Sequence, residues 1–342
     1  MTALTESLPG NPYPWQANIW NRLCSQLAQE RLGHAYLLCG ERGLGKQVFV
    51  QAAARLLLCD KPTAESACGS CQQCLMGQNG SHPDLLRIAP EDGSKVLKID
   101  QIRALISTVD KTSHSAGRKV VIMEQADALN ISAANALLKI LEEPPGNTVL
   151  LLLSDSPGSL LPTIRSRCQR ILFTTPDSAT ALAWLGEVIN DRDDLPVLLD
   201  LAGGKPPLVQ QLLESGELEQ RLNIIRAFVQ ISEGKLEPLD FAATSRSLDV
   251  GSVMEYLWQT TALIIKYLLC KDDRFLVSSE IRTIVNTLQQ RGGSEDDCLA
   301  RLLQLNRSAE DARRQLNGMS NPNRQLVLES MMWRWARINA RG

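Results

Sequence analysis

Short apolar runs alternate with segments of helical periodicity through the first half of the chain. The apolar runs predict buried β-strands at residues 35–39, 85–88, 119–127, 148–153 and 170–173, the third of which ends in polar residues. Apolar positions three and four apart predict helices at residues 15–31, 48–58, 99–109 and 131–142. Fully apolar strands that alternate with helices are typical of a parallel sheet covered by helices on both faces.

After residues 175–177 the alternation stops and helical periodicity continues to the end. The predicted helices span residues 179–188, 195–202, 208–214, 218–231, 250–270, 279–290, 295–316 and 323–338. Met331, Met332, Trp333 and Trp335 nearly encircle the last helix with apolar groups. Such a helix is buried between neighbours, either in the chain's own core or against another subunit, and the sequence leaves both open.

Composition and charge narrow the class of protein. The length of 342 residues suggests two or three domains, and the aromatic content of 4% favours a helix-rich architecture. A formal net charge of −2 excludes the broad basic surface that drives non-specific DNA binding. Residues 1–11 lack the apolar segment of a secretion signal, and the apolar stretch 257–270 is too short to span a bilayer. We therefore expect a cytoplasmic protein without a membrane segment.

A glycine-rich loop lies between the first strand and the following helix. Its sequence is Gly40-Glu41-Arg42-Gly43-Leu44-Gly45-Lys46-Gln47. Strand, loop and helix form the setting of a Walker A motif, in which backbone N–H groups and the helix N-terminus hold phosphate oxygens. Lys46 has the position of the lysine that reaches the outer phosphates, but Gln47 replaces the Ser or Thr that holds magnesium. Hydrolysis is therefore disfavoured, and binding of ATP or ADP by this chain stays doubtful.

The segment Tyr13-Pro14-Trp15 precedes the first predicted helix. These residues pack near a nucleotide base, or they form a staple at the start of that helix. The sequence gives no reason to prefer either role.

The third strand ends in Glu124 and Gln125, the position of a Walker B motif. In a working NTPase two acidic residues stand there, one near magnesium and one that polarises the attacking water. Gln125 carries no charge and cannot act as a base. Ser154 and Asp155 end the next strand, where a polar sensor of the γ-phosphate is expected. The changes at Gln47 and Gln125 affect the same chemistry and together predict a chain without ATPase activity.

Cys59, Cys68, Cys71 and Cys74 predict a metal site, because two overlapping C-x-x-C steps and a nearby thiol suit tetrahedral zinc. Four thiolates leave no open coordination position, so the expected zinc is structural. Unrelated free cysteines and a redox C-x-x-C pair are the alternatives. His82 is a further candidate ligand, although a histidine before a proline at a strand entry is more often structural.

Together these motifs resemble the bacterial clamp-loader family of AAA+ proteins. The resemblance rests on the loop at 40–46, the four cysteines, Leu137-Leu138-Lys139-Ile140-Leu141-Glu142-Glu143-Pro144-Pro145 and Ser166-Arg167-Cys168. Their order and spacing match over about the first half of the chain. Zinc-type cysteines beside an altered Walker A loop are similar to the delta-prime branch of that family in DNA polymerase III. The gamma and tau motor subunits keep Lys-Ser or Lys-Thr and an Asp-Glu pair.

The resemblance implies a fold and a role for one arginine. The fold would be an AAA+ P-loop (RecA-like) parallel-sheet domain with a zinc insertion at residues 1–175, a helical lid at 176–216 and an all-α collar for oligomerisation at 217–342. In this family the arginine of Ser-Arg-Cys, here Arg167, reaches the nucleotide site of the neighbouring subunit. A guanidinium there offsets charge that develops on the γ-phosphate. Pro207 stands where the lid of the family presents a sensor arginine, so that contact is missing.

Two functions follow from this resemblance. The first is a non-motor subunit of the DNA polymerase III holoenzyme that helps load the beta sliding clamp on primed DNA. It would work with the delta subunit and the gamma/tau ATPases in a hetero-oligomeric ring and supply Arg167 in trans. The second is an active ATPase of the gamma/tau type that relies on Lys46 and Glu124. Gln47 and Gln125 favour the first, and a stand-alone zinc nucleic-acid binder is disfavoured by the net charge.

Overall fold

The computed structural model describes residues 11–91, 94, 96–110, 117–189, 192, 194–245, 248–276, 278–291, 294–317 and 322–339. The chain divides into two compact units, Met1–Thr180 and Ala181–Gly342. All but the last residue of the polar segment 1–11 lies outside the described part. Each unit contains its own hydrophobic clusters, as expected for a chain of more than one domain.

A parallel five-stranded sheet forms the centre of the first unit. Its strands are β1 (Ala35–Cys39), β2 (Leu85–Ile88), β3 (Lys119–Met123), β4 (Thr148–Ser154) and β5 (Gln169–Leu172). They lie in the order β2-β3-β4-β1-β5, with parallel pairing throughout. The inner strands β1, β3 and β4 are buried along their whole length, which explains why they are almost entirely apolar. Because all strands run the same way, the segments that follow β1, β3 and β4 lie at one edge of the sheet.

Helices cover both faces of this sheet. They are α1 (Ala17–Ala28), α2 (Lys46–Leu58), α3 (Gln72–Gln78), α4 (Ile99–Val109), α5 (Ile131–Glu142) and α6 (Pro162–Arg167), and α7 (Ser178–Val188) continues into the second unit. One hydrophobic cluster joins α1 and α2 to the sheet, and another joins α4 and α5 to it. The predicted parallel sheet with helices on both faces is confirmed. The short helices α3 and α6 were not predicted, because each has fewer than two full turns in which an apolar stripe could repeat.

The sequence interpretation of the third strand was wrong at its end. The predicted strand at 119–127 stops at Met123, and a 3-10 turn, Ala126–Ala128, follows. The carboxylate of Asp127 turns toward the end of β4 and accepts a hydrogen bond from the hydroxyl of Ser154 at 2.5 Å. Strand pairing therefore stops at Met123, and the following residues are held by a side-chain hydrogen bond instead. The pattern of apolar residues alone does not predict this contact.

The second unit is helical in its described part. After α7 it contains α8 (Leu195–Leu201), α9 (Pro206–Ser215), α10 (Glu217–Ser232), α11 (Pro238–Thr244), α12 (Val250–Cys270), α13 (Ser279–Arg291), α14 (Glu295–Asn317) and α15 (Arg324–Ala336). A smaller hydrophobic cluster involves α7 to α10, and a larger one involves α10 to α15. Pro206 and Pro207 begin α9, two residues before the predicted start at residue 208. The boundaries proposed for a lid and a collar stay a prediction.

The last helix packs mostly against its own chain. Met331, Met332 and Trp335 are buried in the larger cluster, and the indole N–H of Trp335 donates to the carbonyl of Phe228 at 2.8 Å. Trp333 on the same helix is 44% exposed. Most of its apolar groups therefore belong to the chain's own core, and Trp333 faces outward. Among the described helices, none is both long and apolar enough to cross a membrane.

Candidate nucleotide loop, arginine and cysteine cluster

The phosphate loop connects β1 to α2 as the sequence predicted. Gly45 is the N-cap of α2, with φ of 81° in the left-handed region that favours glycine. Gly40 must also lack a side chain, because a Cβ there would lie 2.6 Å from the carbonyl oxygen of Phe173. Lys46 is the first residue of α2, and Gln47 follows it on the exposed side. The loop therefore joins β1 to α2 through glycine positions that tolerate no side chain, and Gln47 supplies no hydroxyl group.

The ammonium group of Lys46 contacts groups of its own chain. Its Nζ donates to the carbonyl of Gly40 at 2.5 Å and to that of Glu41 at 2.7 Å. It also forms an ion pair with Oδ1 of Asp155 at 2.7 Å. The Lys46 side chain is only 6% exposed, whereas Asp155 is half-exposed. The predicted sensor position and the predicted phosphate lysine are thus in direct contact.

The segment before α1 lies against the same loop. A Cβ on Gly45 would be 2.5 Å from two ring carbons of Tyr13, and the side-chain amide of Gln16 donates to the carbonyl of Leu44 at 3.0 Å. The ring of Tyr13 stacks on that of Trp15, with centroids 4.7 Å apart. Tyr13 is buried in this position. The N-terminal segment therefore covers the start of α2.

The Walker B pair lies two strands away from the loop, with β4 between them. The backbone N–H of Glu124 donates to the carbonyl of Ile88 at 3.0 Å, and its carboxylate is 4.0 Å from the guanidinium of Arg87. Gln125 follows as the N-cap of the 3-10 turn. Among the described residues, no hydrogen bond or ion pair joins Glu124 or Gln125 to Lys46, so the sheet brings them to the same edge without direct contact.

Asp127 is a site residue that sequence reasoning missed. Its carboxylate accepts hydrogen bonds from the backbone N–H groups of Asp155 at 2.6 Å and Ser156 at 3.0 Å, and from the hydroxyl of Ser154. These bonds fix the turn after β4 that carries Asp155 to Lys46. The only sequence signal was an acidic residue two positions after the altered Walker B pair.

Arg167 ends helix α6 and is partly exposed. Its Nη1 donates to the carbonyl of Thr163 at 3.0 Å, and its Nη2 contacts Oε1 of Glu142 at 2.5 Å. The side chain is 36% exposed. Ser166 donates its hydroxyl to the same carbonyl of Thr163 at 3.0 Å. Cys168 packs into the core beneath, and burial raises the pKa of its thiol to about 12.

The four predicted cysteines form one cluster. Their Sγ atoms all lie within 4.8 Å of one another, and the Cys59–Cys71 and Cys68–Cys74 pairs are each 3.9 Å apart. Backbone N–H groups of Cys68, Cys71 and Cys74 point to Sγ atoms of Cys59, Cys68 and Cys71 at 3.3 to 3.4 Å. Hydrogen bonds from the backbone N–H groups of Ser70 and Cys71 lower the pKa of Cys68 to about 6, whereas burial raises that of Cys74 to about 12. This cluster could bind a metal such as zinc.

The cluster lies at the far end of α2 from the phosphate loop. Cys59 is the C-cap of this helix of 13 residues, which is about 20 Å long. Trp20 of α1 ties the cysteine segment to the sheet domain, because its indole N–H donates to the carbonyl of Glu65 at 2.7 Å. His82 is not in the cluster; its Nδ1 accepts the backbone N–H of Asp84 at 3.1 Å.

Comparisons with known proteins give the family. A family described as DNA polymerase III, delta subunit, matches residues 15–177, and one described as DNA polymerase III, delta subunit, C terminal, matches residues 215–337. The DNA polymerase III subunit delta' of Pseudomonas aeruginosa is 36% identical over 332 residues, which are 96% of this chain and 99% of that protein. The chain belongs to the DNA polymerase III delta' family. The delta' subunit of Yersinia pestis is 31% identical over 95% of each chain.

Most of the candidate site residues in the first unit lie within the range that the family matches. The match to residues 15–177 contains the phosphate loop, the cysteine cluster, the altered Walker B pair and Arg167. Among solved structures, a gamma subunit-related protein from Thermotoga maritima is similar at 18% identity, with a TM-score of 0.43 over 95% of this chain and all of that one. The delta clamp-loader protein of Bacillus subtilis is similar at 12% identity, with a TM-score of 0.34 over 92% of this chain and 99% of that one.

Proposed function

We propose that this delta' family chain is a non-motor subunit of the clamp loader that completes the active site of a neighbouring ATPase with Arg167. The observation that carries the proposal is the position of this guanidinium. It is held at the end of α6 by Thr163 and Glu142, yet about a third of the side chain is exposed. Within the described part of the chain, Arg167 makes two such contacts, which leaves further donors of its guanidinium to meet phosphate oxygens.

The chain itself would not hydrolyse ATP. Gln47 cannot replace the hydroxyl that ligates magnesium, and Gln125 cannot polarise water. Glu124 keeps a carboxylate, but it lies beside Arg87. The chain's contribution to clamp loading is therefore to hold one part of the ring and to supply a charge to another subunit.

The partners follow from this role. The chain would work in a hetero-oligomeric ring with the delta subunit and gamma/tau ATPase subunits, and it would reach the beta sliding clamp and primed DNA through that complex. The formal net charge of −2 is consistent with DNA contacts that are shared among subunits. Such a complex would act in the cytoplasm, without a membrane.

The cysteine cluster would hold a structural zinc ion. Tetrahedral zinc with Zn–S distances of about 2.3 Å places sulfur atoms about 3.8 Å apart, and two cysteine pairs lie at 3.9 Å. Cys59, Cys68, Cys71 and Cys74 would be the ligands. Bound zinc would fix the fold of this insertion and take no part in chemistry, because four thiolates complete its coordination.

The test is ATP turnover by gamma-type subunits with the delta subunit, the beta clamp, primed DNA and this chain. We expect wild type to raise turnover and Arg167→Ala to remove that increase, since an arginine finger contributes about 10³- to 10⁵-fold at the site it serves. Arg167→Lys should restore little, because lysine lacks the planar set of donors.

Arg192→Ala is the matched control. Arg192 is 38% exposed and pairs with Asp194, much as Arg167 pairs with Glu142. Equal losses in the Arg167 and Arg192 variants would contradict the proposal. If the isolated chain hydrolyses ATP and Lys46→Ala removes that activity, the chain is an active ATPase of the gamma/tau type and the proposal is wrong.

A further inference from the structure

The three hydrogen-bond donors of Lys46 are already used within the chain. An ammonium group has three N–H donors and no acceptor. Those of Lys46 meet the carbonyls of Gly40 and Glu41 and the carboxylate of Asp155, all within 2.7 Å. The side chain is buried at 6% exposure, so water does not offer an easy replacement for these partners. A phosphate that binds to Lys46 must therefore displace one of them.

The backbone at Asp155 is held in place by hydrogen bonds to Asp127. The N–H of Asp155 and that of Ser156 donate to Asp127, which also accepts the hydroxyl of Ser154. The backbone N–H of Gly40 donates to the carbonyl of Ser154 at 3.2 Å, which joins the phosphate loop directly to the end of β4. Asp155 thus approaches Lys46 from a rigid turn.

The start of α2 is also covered. Backbone N–H groups at a helix N-terminus are a binding site for anions. The ring of Tyr13 packs on Gly45 at this end of α2, and Gln16 is bonded to Leu44 next to it. Tyr13 is 7% exposed, so the packing is close enough to exclude solvent from most of the ring.

We propose that Asp155 is an internal counterion that takes the place of a nucleotide phosphate on Lys46 and keeps the loop closed to nucleotide. Asp155 opposes binding in two ways: it occupies the lysine, and its negative charge repels incoming phosphates. This inference concerns the chain's own nucleotide site and does not depend on any action of Arg167 in another subunit.

Binding of a fluorescent ADP analogue, methylanthraniloyl-ADP, to the full chain tests this inference by anisotropy. We expect Asp155→Asn to bind about tenfold or more tightly than wild type, the scale on which one hydrogen bond to a charged group shifts an equilibrium. Adding Lys46→Ala to Asp155→Asn should abolish the gain, because the released ammonium would then be absent.

Glu91→Gln is the matched control, since Glu91 forms an exposed ion pair with Lys98 at 2.8 Å, close to the 2.7 Å of the Lys46–Asp155 pair. It should bind like wild type. Wild type that binds as tightly as Asp155→Asn would overturn the inference, and so would failure of both to bind. Tyr13→Ala separates the effect of the Tyr13 ring from that of Asp155. If Tyr13→Ala gains nucleotide binding and Asp155→Asn does not, the ring excludes nucleotide and the role proposed for Asp155 is rejected.

Two further measurements cover the risk that Asp155→Asn folds poorly. Asp155→Ser removes the charge with a small polar side chain and should show the same gain. Amide hydrogen exchange of wild type across residues 40–47 should be unchanged by a large molar excess of ADP. Slower exchange of that segment with ADP would show that the native loop takes nucleotide, and it would reject the inference without any variant.

Discussion

At the scale of single residues, the groups that a charged side chain already contacts determine what else it can bind. Lys46 and Arg167 are both cations in sequence motifs for phosphate, yet Lys46 is buried against Asp155 and Arg167 is partly exposed beside Glu142. A buried cation with a full set of partners is costly to redirect. An exposed one with spare donors is ready for a partner.

Asp127 gives a prediction at this scale. Asp127→Asn should lower the free energy of unfolding by about 1–3 kcal/mol, because the amide cannot accept all of the hydrogen bonds that reach the carboxylate. Urea denaturation followed by circular dichroism measures this change. Asp100→Asn, at an exposed ion pair with Arg103, is the control and should change stability by less than about 0.5 kcal/mol. Similar losses in both variants would contradict a positioning role for Asp127.

At the scale of elements, helix α2 links two sites of different kinds. Its N-terminus carries the phosphate loop, and Cys59 at its C-terminus belongs to the cysteine cluster. Trp20 stacks edge-on against Phe49 of α2, with ring centroids 5.6 Å apart, and its indole N–H holds the cysteine segment. A metal in the cluster would therefore stabilise α2 and α1 as well as its own loop.

Zinc removal is the prediction at this scale. The purified chain should contain about one zinc ion, and a chelator should lower the melting temperature of the first unit, because the folding energy of such a site comes largely from the metal. Cys74→Ser should have the same effect. Cys270→Ser is the control, since Cys270 is exposed and outside the cluster. Loss of ATPase stimulation on chelation, with melting unchanged, would contradict a structural role.

At the scale of the whole molecule, the second unit has its own core and also leaves apolar groups on its surface. Trp335 is 1% exposed and joins α15 to α10 through Phe228, whereas Trp333 is 44% exposed on the same helix. The core positions hold the unit together. The exposed position is accessible to groups outside the chain, and we propose it as a contact of the predicted collar with another subunit.

This pair of tryptophans gives a prediction with its control built in. Trp335→Ala should destabilise the chain by about 3–5 kcal/mol, because a large buried ring and its hydrogen bond are lost. Trp333→Ala should change stability by less than about 0.5 kcal/mol, yet weaken assembly with the delta and gamma/tau subunits. Thermal melting and analytical ultracentrifugation measure the two effects. Unchanged assembly in Trp333→Ala would remove this residue from the proposed interface.

The strands and long helices were predictable because their apolar periods match their burial. Predictions for β1, β2, α4, α5 and α12 agree with the structure at both ends, since each has a clear apolar run or stripe. The four cysteines were predictable as one cluster, because the short, turn-rich segments between them keep their thiols close together. The short helices and the end of β3 were not, because side-chain contacts rather than periodicity determine them.

The sequence by itself determined the alternation of strands and helices, the altered phosphate chemistry at Gln47 and Gln125 and the candidate metal ligands, because these depend on residue type and local spacing. Only the tertiary structure decided which groups meet. It pairs Lys46 with Asp155, although the two residues are far apart in the chain, and it places Glu142 beside Arg167. These contacts arise because parallel pairing brings the ends of β1 and β4 together and packs α5 against α6, and no local pattern in the chain encodes that arrangement.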